Sequence, residues 1–236
     1  MTREIPPMPA HPPTDAGQGE HGSQPWYSRG DDIKFMDTII VAIAGADAAG
    51  LPNAGDHLDH YMQNTGEDLQ LDPDRIMNDE PGLKLHFDGI VTKAVRVIAA
   101  RLGAVSTSDT ITAEFQSAWE DYTFVSRDWW LAIGSVEAAA CGAVTVHAAS
   151  GSETQQRIVL DYQCHLFDRY NWDGTKETEI AGMTWTDRQL GALHTAGLAK
   201  EFNMMGSSTV KHFEGLLPMA ESLALPPASG TGTPPR

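Results

Sequence analysis

The chain has 236 residues, of which 16 are basic and 32 acidic, so its formal net charge at pH 7 is −16. That charge opposes binding to nucleic acid or to an anionic membrane surface through a general basic field. The length suffices for one good-sized core, and no segment reaches the roughly 18 consecutive apolar residues of a membrane span. The N-terminus lacks the basic and apolar regions of a cleavable signal peptide, so export is expected to use another route.

Prolines mark both ends of the chain. Ten of the 14 prolines lie within residues 1–30 and 221–236. Sequence rich in proline and glycine is typical of disordered ends and of linkers. We therefore predict disordered segments over 1–30 and 226–236, with a single domain over 31–225 between them.

Helical periodicity dominates the first half of that domain. Apolar residues recur at helical spacing over Asp31–Ala49 and over Leu83–Leu102, and His57–Gln63 predicts a short third helix. The stretch 66–82 between the helices is acidic and rich in turn residues. It resembles a calcium-binding loop only loosely, because it lacks the glycine and the closing glutamate of an EF-hand at the required spacing.

Alternating hydrophobicity takes over from residue 109. The predicted strands are Ile111–Trp119, Trp129–Ala138, Ala143–Ala148 and Arg157–Phe167, with a hairpin turn at 150–152. Sequential strands joined by short turns favour an antiparallel sheet, against which the following helix is expected to pack. The predicted fold class is α+β, with an N-terminal helical lobe, a curled antiparallel sheet and a C-terminal helix packed on the sheet.

The two cysteines, Cys141 and Cys164, both lie in apolar sequence of strand character. A zinc site would need more ligands at shorter spacing. Two buried thiols are the simplest interpretation, and a disulfide between neighbouring strands is the alternative.

The strand that begins at Arg157 carries a carboxylate on its apolar face. Every second residue from Ile158 to Leu166 is apolar or aromatic, and the same period puts Asp168 on that face. A buried carboxylate needs a hydrogen bond, an ion pair or a metal ion, so this position predicts a partner. The alternative is that the strand has ended by Phe167 and that Asp168 only caps a turn.

A capping box predicts where the next helix begins. Thr186 and Gln189 have the spacing of such a box, so the helix is expected to start at Asp187. At about 100° per residue, one stripe of this helix is apolar and faces the core. Its members are Leu190, Leu193, Gly197, Leu198 and Phe202.

Three titratable residues share that stripe. Asp187, His194 and Glu201 are spaced by seven, which keeps them on the inward side of the predicted helix. The spacing therefore predicts a line of titratable groups that faces the corner formed by Asp168 and Asp173. The alternative is a core histidine accompanied by two acids at the helix ends.

Common catalytic motifs give no support for a nucleotide-binding, serine-hydrolase or zincin function. The sequence contains no Walker A motif, no Gly-x-Ser-x-Gly and no His-Glu-x-x-His. A nuclease is disfavoured by the net charge and by the absence of a compact metal motif rich in histidine.

The C-terminal third of the domain resembles the C-terminal toxin domains of bacterial polymorphic toxins, notably actinobacterial ones. The segments that carry this resemblance are Asp168–Asp173, the helix start Thr186–Asp187 and Leu193–Phe202, together with Lys176. More distantly, Asp168-x-Tyr170 after a strand is similar to the Asp-x-Tyr-Asp motif of colicin M. The acidic character is similar to that of the streptococcal lipid II phosphatase toxin.

The match to colicin M differs in its detail. That family has an aspartate directly after the tyrosine and a His-Arg pair shortly downstream. Here Asn171 follows Tyr170, the next acid is Asp173, and the nearest downstream histidine is His194.

Both of those families attack the pyrophosphate of lipid II, with a divalent cation involved. The resemblance therefore implies a secreted antibacterial toxin domain that hydrolyses the pyrophosphate linkage of lipid II or of a related undecaprenyl-linked precursor. Phosphoryl transfer mostly needs charge neutralisation and positioning, which a hard cation and basic side chains supply. The catalytic candidates are Asp168, Arg169, Tyr170, Lys176 and His194, and the candidates for binding calcium or magnesium are Asp168, Asp173 and Asp187.

The expected place of action is the cell envelope of a target bacterium, on the periplasmic or outer-leaflet side. The expected partners are a lipid-linked pyrophosphate substrate and an immunity protein, with no nucleic acid and with membrane contact only through the substrate. The alternative from another class is a non-enzymatic module of a polymorphic secretion protein, in which the acidic cluster is a structural calcium site.

Overall fold

The computed structural model describes residues 4–14, 17–103, 110–149, 155–172, 177–180, 183–218 and 221–228. Within these ranges the chain forms six α-helices and nine strands, and the fold class is α+β, as predicted. The predicted hairpin turn at 150–152 and the candidate site residues Asp173 and Lys176 lie outside the described residues.

Four helices come first. They are α1 (Gly30–Gly45), α2 (Pro52–Met62), α3 (Pro73–Asp79) and α4 (Pro81–Gly103). The three predicted helices are confirmed, and α3 is an addition that lies inside the acidic stretch. Asp72 accepts hydrogen bonds from the backbone N–H groups of Asp74 (3.0 Å) and Arg75 (3.2 Å), so this carboxylate caps a helix.

Seven strands form one sheet in which β5 is central. The members are β1 (Leu69–Gln70), β2 (Thr110–Gln116), β3 (Glu120–Thr123), β4 (Ser135–His147), β5 (Arg157–Tyr170), β8 (Phe202–Ser207) and β9 (Lys211–Leu216). β4 pairs with β5 along one edge, while β8 and β9 share the other edge. These pairs are antiparallel, and the short pair of β1 with β8 is parallel. A separate hairpin consists of β6 (Glu177–Ile180) and β7 (Met183–Thr186).

The strand predicted over Trp129–Ala138 is wrong in its first part. Residues Arg127–Ala132 form the helix α5, and β4 starts only at Ser135. The apolar run there is compatible with both the helical and the strand period. A helix forms because it buries Trp129 and Ala132 on the same side. Gly134 then adopts a φ of 83°, which turns the chain into the sheet.

The predicted start of the C-terminal helix is confirmed, but its predicted extent is wrong. α6 spans Asp187–Ala196 and begins with the complete capping box of Thr186 and Gln189. Gly197 has a φ of 71° and ends the helix as a left-handed cap, so it is not a mid-helix residue. The chain then turns, and Phe202 begins β8.

Helices cover one face of the sheet. α4 packs on β4 and β2, and α6 lies against α1 and β7. Within the described part of the chain, no helix is both long and apolar enough to span a membrane. Both cysteines are free and buried, which agrees with the interpretation of two buried thiols.

Part of the N-terminal segment predicted as disordered is held against the other face of the sheet. We call described residues 4–14 the N-terminal strap. The ring of His11 stacks on Phe167 with 4.2 Å between centroids. The strap's backbone carbonyls accept hydrogen bonds from Cys141 Sγ (Pro6, 3.0 Å), Gln116 Nε2 (Pro7, 2.8 Å) and Trp119 Nε1 (Ala10, 2.8 Å).

A buried ion pair ties the helical lobe to β9. Lys211 Nζ lies 2.5 Å from an oxygen of Asp74, and both side chains are almost fully buried. The other oxygen of Asp74 accepts from the backbone N–H (2.7 Å) and the hydroxyl (2.8 Å) of Thr209. Every oxygen of this carboxylate is therefore engaged, which a buried charge requires.

Replacement Asp74→Ala is expected to lower the free energy of unfolding by about 3 to 5 kcal/mol, because it leaves the Lys211 ammonium buried without its counter-charge. The matched control is Asp31→Ala, since the Asp31–Lys34 pair is highly exposed and should change stability by about 0.5 kcal/mol or less. Urea unfolding of both variants checks the difference, and equal losses would contradict the role given to Asp74.

Candidate functional site

A pocket of about 280 Å³ opens where β5 ends beside the start of α6. Asp168 and Arg169 reach it from β5, and Asp187 reaches it from the first turn of α6. β5 continues past Phe167 to Tyr170, so the alternative in which Asp168 only caps a turn is wrong. The strand and the capping box thus bring two predicted acids, 19 positions apart in sequence, to one cavity.

Aromatic side chains form much of the pocket wall. Trp130, Tyr170, Trp172 and Trp185 line it. The ring of Tyr170 stacks on Phe202 with 4.8 Å between centroids and meets Trp172 edge-on at 5.3 Å. Burial raises the pKa of Tyr170 far above its ordinary value, so its phenol stays protonated and serves as a wall rather than as a base.

Three residues that line this pocket each carry a buried side-chain N–H that has no hydrogen-bond partner among the described residues. The nitrogens are Nε of Arg169, Nε1 of Trp172 and Nε1 of Trp185. Trp185 is only 2% exposed, so bulk water does not readily satisfy its indole. An unsatisfied buried donor costs about 1 to 3 kcal/mol. An acceptor group brought within reach of these donors would remove that cost.

Two hydrogen bonds fix the guanidinium of Arg169. Its Nη1 donates to Oδ1 of Asn203 and its Nη2 donates to Oε2 of Glu201, each over 3.2 Å. Glu201 is buried. This anchoring holds the guanidinium in one position, so little further side-chain entropy is lost when a ligand binds.

His194 does not line the pocket. Its Nδ1 accepts a hydrogen bond of 3.1 Å from the backbone N–H of Glu201, and its Nε2 lies 3.9 Å from that residue's carboxylate. Burial lowers the pKa of His194 below its ordinary value. These contacts correspond to the alternative of a core histidine, and the catalytic role assigned to His194 stays a prediction without support from the pocket geometry.

No cluster of three or more His, Cys, Asp or Glu side chains capable of holding a metal ion occurs among the residues described. Asp168 and Asp187 share the pocket, whereas Asp173, the third predicted ligand, lies in the undescribed residues 173–176 together with Lys176. Two carboxylates are nevertheless enough for Mg²⁺, which often uses one or two carboxylates and takes its other oxygens from water and substrate phosphates.

The sequence did not predict that most of these aromatic residues would line a pocket. Trp130 stood in a segment predicted as a strand, and Trp185 precedes the helix cap without any periodic signal. Trp172 lies in the segment that carries the resemblance to toxin domains, but it had no assigned role. Glu177, which also lines the pocket, belongs to a hairpin that the sequence did not predict.

Comparison of the chain with protein-family models, curated proteins and solved structures found no match.

A buried histidine beneath the pocket predicts sensitivity to acid. His57 packs its ring near Trp129 and Tyr170, and its Nδ1 hydrogen-bonds the carbonyl of Asn53 over 2.8 Å. Burial lowers the pKa of His57 from 6.5 to about 4. Between these values the unfolded chain binds a proton that the folded chain does not, so stability is lost as the pH falls.

We expect His57→Gln to reduce the acid-induced loss of stability between pH 6.5 and pH 4 by about 3 kcal/mol, the equivalent of its pKa difference. Urea unfolding at a series of pH values measures this slope. His60→Gln, on the same helix, controls for the removal of one imidazole. A slope unchanged by His57→Gln would contradict the account.

Proposed function

We propose that this chain is a secreted antibacterial toxin domain that hydrolyses the pyrophosphate linkage of lipid II or of a related undecaprenyl-linked precursor. The observation that carries the proposal is that Asp168 and Asp187 line one pocket together with Arg169, Trp172 and Trp185, whose buried N–H groups have no partner among the described residues. The similarity of Asp168-x-Tyr170 to the colicin M motif, together with the acidic character shared with the streptococcal lipid II phosphatase toxin, suggests the substrate class.

A pyrophosphate matches the donors of the pocket. Its oxygens can accept from Nε of Arg169 and from the indoles of Trp172 and Trp185, and charge-assisted hydrogen bonds to an anion are stronger than neutral ones. Since Arg169 is already held by Asn203 and Glu201, its positive charge has a fixed position beside the pocket, where it can stabilise the charge on a phosphoryl group.

The two carboxylates are suited to a hard divalent cation. Asp168 and Asp187 supply oxygen ligands, which both Mg²⁺ and Ca²⁺ prefer. A bound cation would neutralise the phosphoryl oxygens and lower the pKa of a bound water. Without it, two acids beside a pyrophosphate would repel the substrate.

The size of the pocket limits what it can hold. A volume of about 280 Å³ lies just below the range typical of small-molecule sites, so it fits the pyrophosphate and an adjoining sugar rather than a polyprenyl chain. The tryptophan faces offer the apolar surface on which a sugar ring can lie. The lipid tail would then stay in the membrane while the pocket meets the headgroup from the aqueous side.

Asp168→Asn is expected to reduce release of the pyrophosphate-linked product from lipid II by at least about a hundredfold, because it removes a ligand charge from the reacting centre. Product release by the purified protein with Mg²⁺ or Ca²⁺ is the measurement. Asp37→Asn, an exposed aspartate of α1, is the matched control and should retain full activity. Cation binding without any product would instead favour the non-enzymatic calcium module.

Trp185→Phe tests the donor separately from the fold. The variant keeps an aromatic ring but loses the unpartnered indole N–H, and the loss of one hydrogen bond to the substrate corresponds to about a tenfold fall in kcat/KM. Trp26→Phe, at a highly exposed tryptophan, controls for the exchange. Full activity of Trp185→Phe would remove this indole from substrate binding.

The compartment in which the protein acts can be tested in cells. Expression in a bacterial cytoplasm should be tolerated, whereas the same chain directed to the periplasm should lyse the cell, because the substrate headgroup is exposed on the outer leaflet. Asp168→Ala should relieve the lysis. Killing from the cytoplasm without a periplasmic effect would overturn the proposal and indicate an intracellular target.

A further inference from the structure

A chain of three polar side chains crosses the sheet on the face opposite to Asp168. Cys141 on β4 has its Sγ 3.0 Å from Nε2 of His165 on β5. Nδ1 of the same imidazole lies 2.8 Å from Oγ of Ser207 on β8. Both groups are shielded from water, since Cys141 is 0% exposed and His165 is 1% exposed. Burial by itself does not account for a direct contact between a thiol and an imidazole.

The order of these groups is that of a nucleophile, a base and a group that orients the base. When the imidazole proton is on Nδ1 and is donated to the Ser207 hydroxyl, Nε2 carries the lone pair and can accept the thiol proton. The other cysteine, Cys164, points to the opposite face of β5 and belongs to the hydrophobic core. Only Cys141 therefore has a base beside it in the described part of the chain.

Short side chains flank this thiol on the sheet face that the N-terminal strap covers. The neighbours of Cys141 on the same face of β4 are Ala139 and Ala143. Gln116 lies directly opposite Cys141 in the register of β2 and β4. An extended chain can therefore approach the thiol closely.

The N-terminal strap shows how a peptide lies on that face of the sheet. The carbonyl oxygen of Pro6 accepts from Cys141 Sγ over 3.0 Å, and the next carbonyl, of Pro7, accepts from the side-chain amide of Gln116 over 2.8 Å. A peptide carbonyl thus sits at the thiol, with an amide donor one residue away. The amide of Gln116 therefore positions a peptide beside the thiol by binding the carbonyl next to the one that the thiol contacts.

We propose that Cys141 is the nucleophile of a second, latent site for acyl transfer, that its substrate is the acyl carbonyl of an extended peptide or peptide-like ester, and that the N-terminal strap covers it. His165 acts as the base, Ser207 positions the imidazole, and Gln116 positions the peptide. The site is independent of the pyrophosphate pocket, which lies on the other side of β5.

The step balances with the groups present. The thiol proton moves to Nε2 of His165, a bond forms between Sγ and the carbonyl carbon, and the leaving oxygen or nitrogen departs with the proton that His165 returns. Water then attacks the thioester, its proton passes to His165, and the acid leaves as the Cys141 thiol is restored.

The N-terminal strap also explains why the Cys141 thiol is unreactive while it is covered. Under the strap, burial raises the pKa of the Cys141 thiol to about 11 and lowers the pKa of His165 to about 4. The pair is therefore neutral at pH 7, and the attacking thiolate does not form. Displacement of the strap would return both groups to water and to their ordinary protonation behaviour.

The experiment uses the full chain and a released variant, His11→Ala with Trp119→Phe, which removes the stacking on Phe167 and the hydrogen bond to Ala10. Iodoacetamide should alkylate Cys141 at least about tenfold faster in the released variant than in the unchanged chain, because thiol reactivity follows exposure and thiolate content. Cys164 is the internal control and should stay unmodified in both. p-Nitrophenyl acetate should transfer its acetyl group to Cys141, and water should then remove it.

Variants of the base and of the positioning residue complete the test in the released background. His165→Gln should slow acetylation by about a hundredfold or more, while a melting curve shows that the chain is still folded. Ser207→Ala should slow it and Ser207→Thr should restore it. Alkylation of Cys141 at the rate of Cys164, alkylation without acetylation, or a folded His165→Gln variant with full acetylation would each overturn the proposal.

Discussion

The strand β5 imposes the constraint on which both candidate sites depend. It is fourteen residues long and is paired on both edges, so its backbone stays extended and its side chains alternate strictly between the two faces. Tyr170 and Asp168 point to the helical side, and His165 points to the side of the N-terminal strap. A shift of the register by one residue would exchange these faces and remove both sites together.

The pocket owes its rigidity to a buried polar network rather than to the sheet alone. Arg169 is held by Glu201, and the backbone N–H of Glu201 donates to His194. Each link satisfies a group that would be costly to bury alone. The turn after Gly197 brings Glu201 back to β5. The end of α6 and the start of β8 therefore hold the side chain of Arg169, a residue that lines the pocket. His194 is part of this support.

Local signals in the sequence predicted the elements that carry the pocket, and long-range contacts account for most of what was missed. The alternation in β5 and the capping box of Thr186 depend only on residues close in sequence, so the sequence alone predicts them. The spacing of His194 and Glu201 suggested one helix, but the two meet because the chain turns at Gly197. Helical and strand periods also coincide over short apolar runs, which is why the helix at Trp129 was predicted as a strand. No pattern could place Cys141 beside His165, since that contact depends on the register of β4 and β5.

The charges around the pocket couple its two proposed ligands. Among the described residues that line it are three carboxylates and one guanidinium, and carboxylates attract cations and repel phosphates. A divalent cation reverses that preference, since its charge offsets the carboxylates and leaves Arg169 and the indole donors to act on an anion. Cation and pyrophosphate should therefore each raise the affinity for the other, as linkage between two ligands requires. A chain with a net charge of −16 can in this way use a polyanionic substrate without a basic surface, because the attraction is supplied locally and only when the metal is bound.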